Sequence, residues 1–184
     1  APGDPFASYA RRIEILGPFG TGDGPWLEES LPADTGFPKR GVAVDGRARK
    51  VTVRSRARAN DQHAIPLLDP SRPESGAHYA RWRIGVSNDS TGFVEVEYPG
   101  SYILRVDGRE IARIDPVLKP CAQVQRFAVR LIAGNHEIVV RTGDNSQNSL
   151  ALRMVDANGG ALPAAREIEP GEDAAPTEIG RAHV

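Results

Sequence analysis

Hydrophobic and polar residues alternate along much of the second half of the chain. Tyr102, Leu104 and Val106 are separated by single residues, which is the two-residue period of a strand with one buried face. Asp107-Gly108 follows, a dipeptide typical of the two-residue turn that joins antiparallel strands. The pattern therefore predicts a β-hairpin at this point.

Strand-like runs on both sides of this hairpin extend the pattern. They occur at 13–16, 51–54, 79–86, 93–98, 111–114, 124–132, 138–140 and 150–155, with turn residues between them and no helical stripe of useful length. We predict an all-β fold, an antiparallel jelly-roll-like β-sandwich of about eight to ten strands. Its predicted core includes Leu104, Val106, Val129, Leu131, Val139 and Leu152.

The length of 184 residues is sufficient for one domain with its own core. We divide the chain into an N-terminal linker at 1–10, a β-sandwich at 11–162 with a long loop at 19–42, and a tail at 163–184. The tail is rich in Ala, Pro and Glu, so we expect it to be mobile or laid along a partner. Because Met154 is the one methionine, we expect a mature protein without its leader or a part of a longer protein.

Composition excludes several classes of function. The net charge of −1 argues against nucleic acid as the main partner, because phosphate binding needs a basic excess. No apolar run approaches the ~18 residues of a membrane span. The one cysteine, Cys121, cannot form an internal disulfide, and we interpret it as a small space-filling residue.

Charge is nevertheless uneven along the chain. A basic segment at 39–58 contrasts with an acidic C-terminus. One interpretation is a solvated strand face and a flexible tail, and the other is a pair of surfaces that dock onto a protein partner. The candidate partner-binding residues are Arg54, Arg56, Arg58, Glu167, Glu169 and Glu172.

No pattern of residues indicates catalysis. Glu95 and Glu97 share a strand face, but a pair two residues apart is what any solvated strand produces. The sequence has no Gly-x-Ser-x-Gly nucleophile motif, no phosphate-binding glycine pattern and no metal-ligand spacing of histidines. We therefore predict that the protein is not an enzyme and has no catalytic residues.

Two polar runs leave calcium open as a cofactor. The runs at 87–90 and 144–148 offer the oxygen ligands that calcium prefers. Each contains a single carboxylate, and turn chemistry alone explains Asn, Asp and Ser at such places. We assign no metal ligands.

A sugar site requires an exposed aromatic plane beside hydrogen-bonding side chains. Trp26 lies in a Gly- and Pro-rich loop with Asp23, Glu28 and Asp34, and this group is the candidate ligand site. Tyr98, before Pro99-Gly100, is a further candidate. The alternative is that Trp26 closes one end of the sandwich and Tyr98 packs at its rim.

The segments Tyr102–Gly108 and Val129–Ile138 resemble the hairpins of the galactose-binding-like jelly-roll superfamily and of the protective-antigen-type carbohydrate module. Leu16–Phe19 is similar to an opening of such modules in large bacterial proteins, and Ala1–Pro5 resembles a turn between tetratricopeptide repeats. The resemblance implies a sandwich that binds glycans. The protective-antigen-type module presents adjacent aspartates to calcium, where this chain has Ser101-Tyr102.

These observations favour a non-catalytic accessory or assembly module of a larger bacterial protein or complex, acting through protein–protein contacts with a partner or parent polypeptide. The alternative is a carbohydrate-binding module that uses a loop aromatic. We expect an extracytoplasmic location, periplasmic or secreted.

Overall fold

A computed structural model describes residues 5–20, 30–69, 76–115, 124–143 and 149–170 together with the backbone of 182–183. These residues contain fourteen strands and no helix. The strands are β1 (Arg12–Phe19), β2 (Val44–Asp45), β3 (Lys50–Val51), β4 (Arg54–Ala57), β5 (Ile65–Pro66), β6 (Ala77–Val86), β7 (Ser90–Glu97), β8 (Tyr102–Val106), β9 (Arg109–Ile114), β10 (Val124–Leu131), β11 (Gly134–Thr142), β12 (Ser149–Val155), β13 (Ala165–Glu167) and β14 (Ala182–His183).

The long strands form two antiparallel sheets. The large sheet has the order β4-β1-β6-β11-β8-β9, and β13 pairs with β6 beyond the end of β1. The small sheet has the order β14-β10-β7-β12-β5, and β2 pairs with β3 separately. The all-β antiparallel prediction is confirmed, and the fold is consistent with a β-sandwich. The jelly-roll topology stays a prediction.

The main core brings together alternate side chains from both sheets. Trp82 and Leu104 belong to the large sheet and Val96 and Leu152 to the small one, and all four are buried in one cluster. The six residues predicted as core are all at most 7% exposed. Five of them lie in this main core, where the period-2 pattern identified the buried face, because side chains on a strand alternate between its two faces. Val139 is buried on the opposite face of the large sheet.

A second apolar cluster covers the outer face of the large sheet. Leu31 and Val53, from the segment between β1 and β4, are buried against Leu16, Tyr79 and Val139. The described part of the long N-terminal loop is thus packed by its own side chains onto the sheet.

Both ends of the predicted sandwich extend further than expected. Ala10 is buried and its N–H donates to the Leu152 carbonyl, so 5–10 is packed onto the small sheet. At the other end β13 pairs with β6, and Ile168 is buried. Strand pairing therefore continues past 163, the expected start of the tail, and Ala165 and Ile168 fill space beside β6. The division of the chain into domain and tail stays a prediction.

Among the described residues, no helix is long and apolar enough to cross a membrane.

Candidate functional site

Three facing positions on the outer side of the large sheet create a gap in its surface. In the register of the sheet, Gly85 of β6 stands opposite Asn135 of β11 on one side and Arg166 of β13 on the other. Because Gly85 has no side chain, the side chains of Asn135 and Arg166 border an unfilled position on the surface of the sheet. A Cβ atom on Gly85 would lie 3.3 Å from Asn135 Oδ1 and 3.7 Å from Arg166 Nε. The two polar groups therefore converge above the glycine.

This gap opens into a cleft of about 350 Å³, which we call the outer cleft. Its floor and walls are mainly backbone and small side chains, and its polar side chains are those of Ser87, Asn135 and Arg166. Such a surface offers hydrogen-bond donors and acceptors at short range. It contains no aromatic ring and no carboxylate among the described residues that line it.

Two turns hold the wall of the outer cleft that contains Gly134. The Asp89 carboxylate accepts a hydrogen bond from the Ala133 N–H at 2.9 Å. The Ser87 N–H donates to the Ala164 carbonyl, which ties the β6–β7 turn to the segment before β13. Asp89, which belongs to the polar run considered for calcium, thus stabilises the β10–β11 turn by this hydrogen bond. The other run, at 144–148, lies outside the described residues.

A second cleft of about 100 Å³, the inner cleft, lies on the other side of β13. Trp82, Met154 and Leu162 supply its apolar lining, and Glu167 supplies a carboxylate. Glu167 Oε2 accepts from Trp82 Nε1 and from the Arg11 N–H, each at 2.8 Å. Glu167 Oε1 is buried without a hydrogen-bond partner among the described residues.

Burial raises the pKa of the Glu167 carboxyl above its usual value, and the hydrogen bonds from Arg11 and Trp82 offset only part of this effect. The side chain thus closes the edge of the main core. The sequence placed Glu167 in an acidic tail that binds a partner. The structure places it against the indole of a core tryptophan, because β13 joins the sheet.

Asp34 was predicted as a ligand residue together with Trp26, Asp23 and Glu28, which lie outside the described residues. Its carboxylate accepts hydrogen bonds from the Tyr79 hydroxyl at 2.7 Å, Arg141 at 2.8 Å and Arg105 at 3.1 Å. Burial alone raises the pKa of Asp34, but these donors and the Leu31 N–H hold it below the ordinary value. In this structure Asp34 anchors the long loop to the large sheet.

The other candidate for ligand contact, Tyr98, is 3% exposed. Its ring packs edge-on against Tyr102, with 6.2 Å between the ring centroids. The ring therefore does not present the exposed aromatic plane that the sequence hypothesis requires, because Tyr98 points into the core between the sheets.

The candidate partner-binding arginines Arg54, Arg56 and Arg58 contact acceptors of the same chain. Arg54 forms an ion pair with Asp69 at 2.6 Å, and Arg56 donates to the carbonyls of Pro66 and Leu68. Arg58 is 7% exposed and donates to the Phe6 carbonyl. The arginines face the segments at 65–69 and 5–10, which supply acceptors that only the tertiary structure brings near.

Two further acidic residues were predicted to bind a partner. Glu169 forms an ion pair with Arg12 at 3.6 Å, with both side chains half exposed. Glu172 lies outside the described residues, as does Cys121. Among the residues that the structure describes, no cluster of three or more His, Cys, Asp or Glu side chains is arranged to hold a metal ion.

The two carboxylates on β7 are engaged by basic groups. Glu95 accepts from Arg153 at 2.7 Å and from Arg126 at 3.0 Å. Glu97 lies 2.7 Å from His63 Nε2. The side chain of Glu95 is only 6% exposed, so the two acids do not form an open pair facing a substrate.

Sequence reasoning missed the outer cleft, although one signal pointed to it. Gly85 interrupts the apolar strand pattern at 79–86, and a glycine inside a strand often marks a close approach of another group. Its partners Asn135 and Arg166 occupy distant parts of the sequence, so their convergence depends on the pairing of three strands.

No protein-family model matches this chain, and no curated protein matches it in sequence. Among solved structures, it is similar to a family 35 carbohydrate-binding module from an environmental isolate, with 9% identity, a TM-score of 0.37, and coverage of 52% of this chain and 72% of that one. It is also similar to a β-glucosidase from Kluyveromyces marxianus in complex with glucose, with 10% identity and a TM-score of 0.42. That match covers 85% of this chain and 18% of the other. The galactose-binding-like family stays a prediction.

Proposed function

We propose that this protein is a non-catalytic carbohydrate-binding module whose ligand occupies the outer cleft. The observation that carries the proposal is the row Arg166–Gly85–Asn135, in which two hydrogen-bonding side chains flank a strand position without a side chain. A sugar ring presents several hydroxyl groups within a few ångströms of one another. A guanidinium and an amide that converge on one place match such a ligand, since both can form paired hydrogen bonds.

The size of the outer cleft supports this assignment. Ligand sites in proteins typically measure about 300–1,000 Å³, and at about 350 Å³ the outer cleft reaches this range. The inner cleft, at about 100 Å³, does not. The proposed site differs from the loop-aromatic site predicted from sequence, because Arg166 and Asn135 replace Trp26 as the recognising side chains.

The engagement of the acidic residues supports a non-catalytic role. A glycosidase needs one carboxylate as acid and a second as nucleophile or base. Glu95 and Asp34 are each held by two arginines, which favours the ionised form and occupies the oxygen atoms. The outer cleft has no carboxylate among the described residues that line it.

The assembly role predicted from the sequence stays a prediction. Arg54, Arg56 and Arg58 bind acceptors within the same chain, so charge reversal there would disturb the fold as well as any interface. A better test is direct. Co-purification of a protein partner that buries about 1,200–2,000 Å² on a folded chain that binds no glycan would favour assembly over sugar binding.

The experiment is a glycan array followed by calorimetry on wild type and on Gly85→Val. Valine at Gly85 fills the floor of the outer cleft, and its β-branched side chain is well tolerated in a strand. The matched control is Gly20→Val, because a Cβ there would also lie 3.3 Å from a side-chain atom, Arg47 Cγ, at the opposite end of β6.

The proposal expects wild type and Gly20→Val to bind the same glycans and Gly85→Val to lose binding, with all three showing the same circular dichroism spectrum. Undiminished glycan binding by a folded Gly85→Val would show that the outer cleft is not the site. A folded wild-type chain that binds no glycan would reject the function itself.

A further inference from the structure

The outer cleft has a charge that nothing in the described structure balances. Arg166 is the one charged residue among the described residues that line it. Its guanidinium has no hydrogen-bond or ion-pair partner in the described part of the chain. The neighbouring Glu167 does not pair with Arg166, because adjacent side chains of a strand point to opposite faces and Glu167 binds Trp82 on the inner face.

Six arginines on the sheet faces share three carboxylates. Arg81 and Arg83 share Glu14 at 3.0 and 3.5 Å. In the same way Arg105 and Arg141 share Asp34, and Arg126 and Arg153 share Glu95. Arg166 departs from this pattern, and it does so beside Gly85, where the lack of a side chain leaves room for a ligand.

The exposed side chain of Arg166 lies against Gly85 and lines the outer cleft. Both its Cγ and its Nε lie 3.7 Å from the point where a Cβ of Gly85 would stand, so the side chain lies across the floor of the cleft. From there a guanidinium can form two parallel hydrogen bonds with an anionic oxygen group, an arrangement that is stronger and more directional than bonds to a neutral hydroxyl.

Resting on the proposed function, we infer that the sugar bound in the outer cleft carries an anionic oxygen group, a carboxylate or a sulfate, that is held by Arg166. Asn135 and Ser87 then contact the hydroxyl groups beside it. Neutral sugars lack the charged partner and bind more weakly. We assign the anion to a sugar, because the cleft is larger than an oxyanion and offers further donors and acceptors.

The test compares glucuronate with glucose, which differ only in the oxidation of C6, and adds glucose 6-sulfate and inorganic sulfate as further probes. Binding is measured by calorimetry at low and high salt. The variant is Arg166→Gln, which removes a side-chain charge that has no partner in the described fold. Its matched control is Arg130→Gln, an exposed arginine of β10 in the small sheet for which the described residues also provide no side-chain partner.

We expect wild type to bind one of the two anionic sugars at least about tenfold more tightly than glucose, because a hydrogen bond to a charged group is stronger than one between neutral groups. Arg166→Gln should abolish this preference and Arg130→Gln should retain it. Added salt should weaken binding of the anionic sugar more than binding of glucose. Which sugar binds better distinguishes carboxylate from sulfate.

Equal affinity for glucose and both anionic sugars would overturn the inference while leaving a carbohydrate-binding function in place. A preference that survives Arg166→Gln would overturn it as well. If inorganic sulfate binds as tightly as the sugars, the cleft is an anion site and the sugar is not recognised. If no glycan binds to folded wild type, the proposed function and the inference both fail.

Discussion

His136 Nδ1 lies 2.7 Å from Asp107 Oδ2, and the histidine side chain is fully buried. On its other side, His136 Nε2 lies 2.7 Å from the carbonyl oxygen of Ile132. A carbonyl and a carboxylate both accept hydrogen bonds, so the ring fits these neighbours best when both nitrogens carry a proton. The pair ties the β8–β9 turn to the β10–β11 turn, next to the wall of the outer cleft.

This geometry predicts a loss of stability at alkaline pH. Burial lowers the pKa of His136, but Asp107 and the Ile132 carbonyl outweigh it, so the net pKa is raised. A raised folded-state pKa gives stability that is complete below the unfolded value of about 6.5 and is lost as pH rises through the folded value. The melting temperature should fall across that window.

The variant that isolates the pair is Asp107→Asn. Asparagine tolerates the positive φ of 51° at this position but removes the charge. We expect a loss of about 1–3 kcal/mol near pH 6 and a flatter dependence on pH. An unchanged slope between pH 6 and 8, measured by thermal unfolding with circular dichroism, would show that His136 is not the titrating group.

A second prediction concerns the turn itself. Asp107 and Gly108 have φ values of 51° and 78°, so the tight turn predicted from the sequence is present. Gly108→Val should destabilise the domain by roughly 1–2 kcal/mol, because a β-branched residue is strained in the left-handed region. Gly108→Asn is the control and should unfold nearer to the wild-type urea midpoint. Equal midpoints for the valine variant and wild type would contradict this account.

The loss of folding stability at low pH should depend on Glu95. Burial raises its pKa, but hydrogen bonds and charge from Arg153 and Arg126 prevail and lower it. A lowered folded-state pKa gives stability that is present above the unfolded value of about 4.3 and is lost as pH falls through the folded value. The free energy of unfolding of Glu95→Gln should therefore fall less steeply than that of wild type as the pH is lowered. The measurement is chemical unfolding at a series of acidic pH values. If stability falls equally steeply for both proteins, the ion pairs of Glu95 with Arg153 and Arg126 do not set the acid dependence.

The core prediction is tested at Leu104, which is completely buried between the sheets. Leu104→Ala should reduce the free energy of unfolding by ~2–5 kcal/mol, through lost burial and the cavity left behind. Val42→Ala is the control, since Val42 is 49% exposed and should change stability by only about 0.5 kcal/mol. Urea denaturation measures both, and similar losses would exclude Leu104 from the core.

Local patterns determined the parts of this protein that depend on neighbours in sequence. The alternation through Leu104 and Val106 identified a buried strand face, because successive side chains on a strand point to opposite sides. Asp107-Gly108 identified the turn, because few other residue pairs adopt its backbone angles. These rules hold wherever the strand is placed in the fold, so an all-β antiparallel fold could be predicted.

Only the tertiary structure decided what each charged or polar residue does. Arg141 binds Asp34 across 107 positions of sequence, and Trp82 binds Glu167 across 85. The sequence does not show which acceptor an arginine meets, so the contacts of Arg54, Arg56 and Arg58 within the chain appear only in the tertiary structure. The outer cleft exists for the same reason: Arg166 and Asn135 meet above Gly85 only once three separate strands have paired in one register.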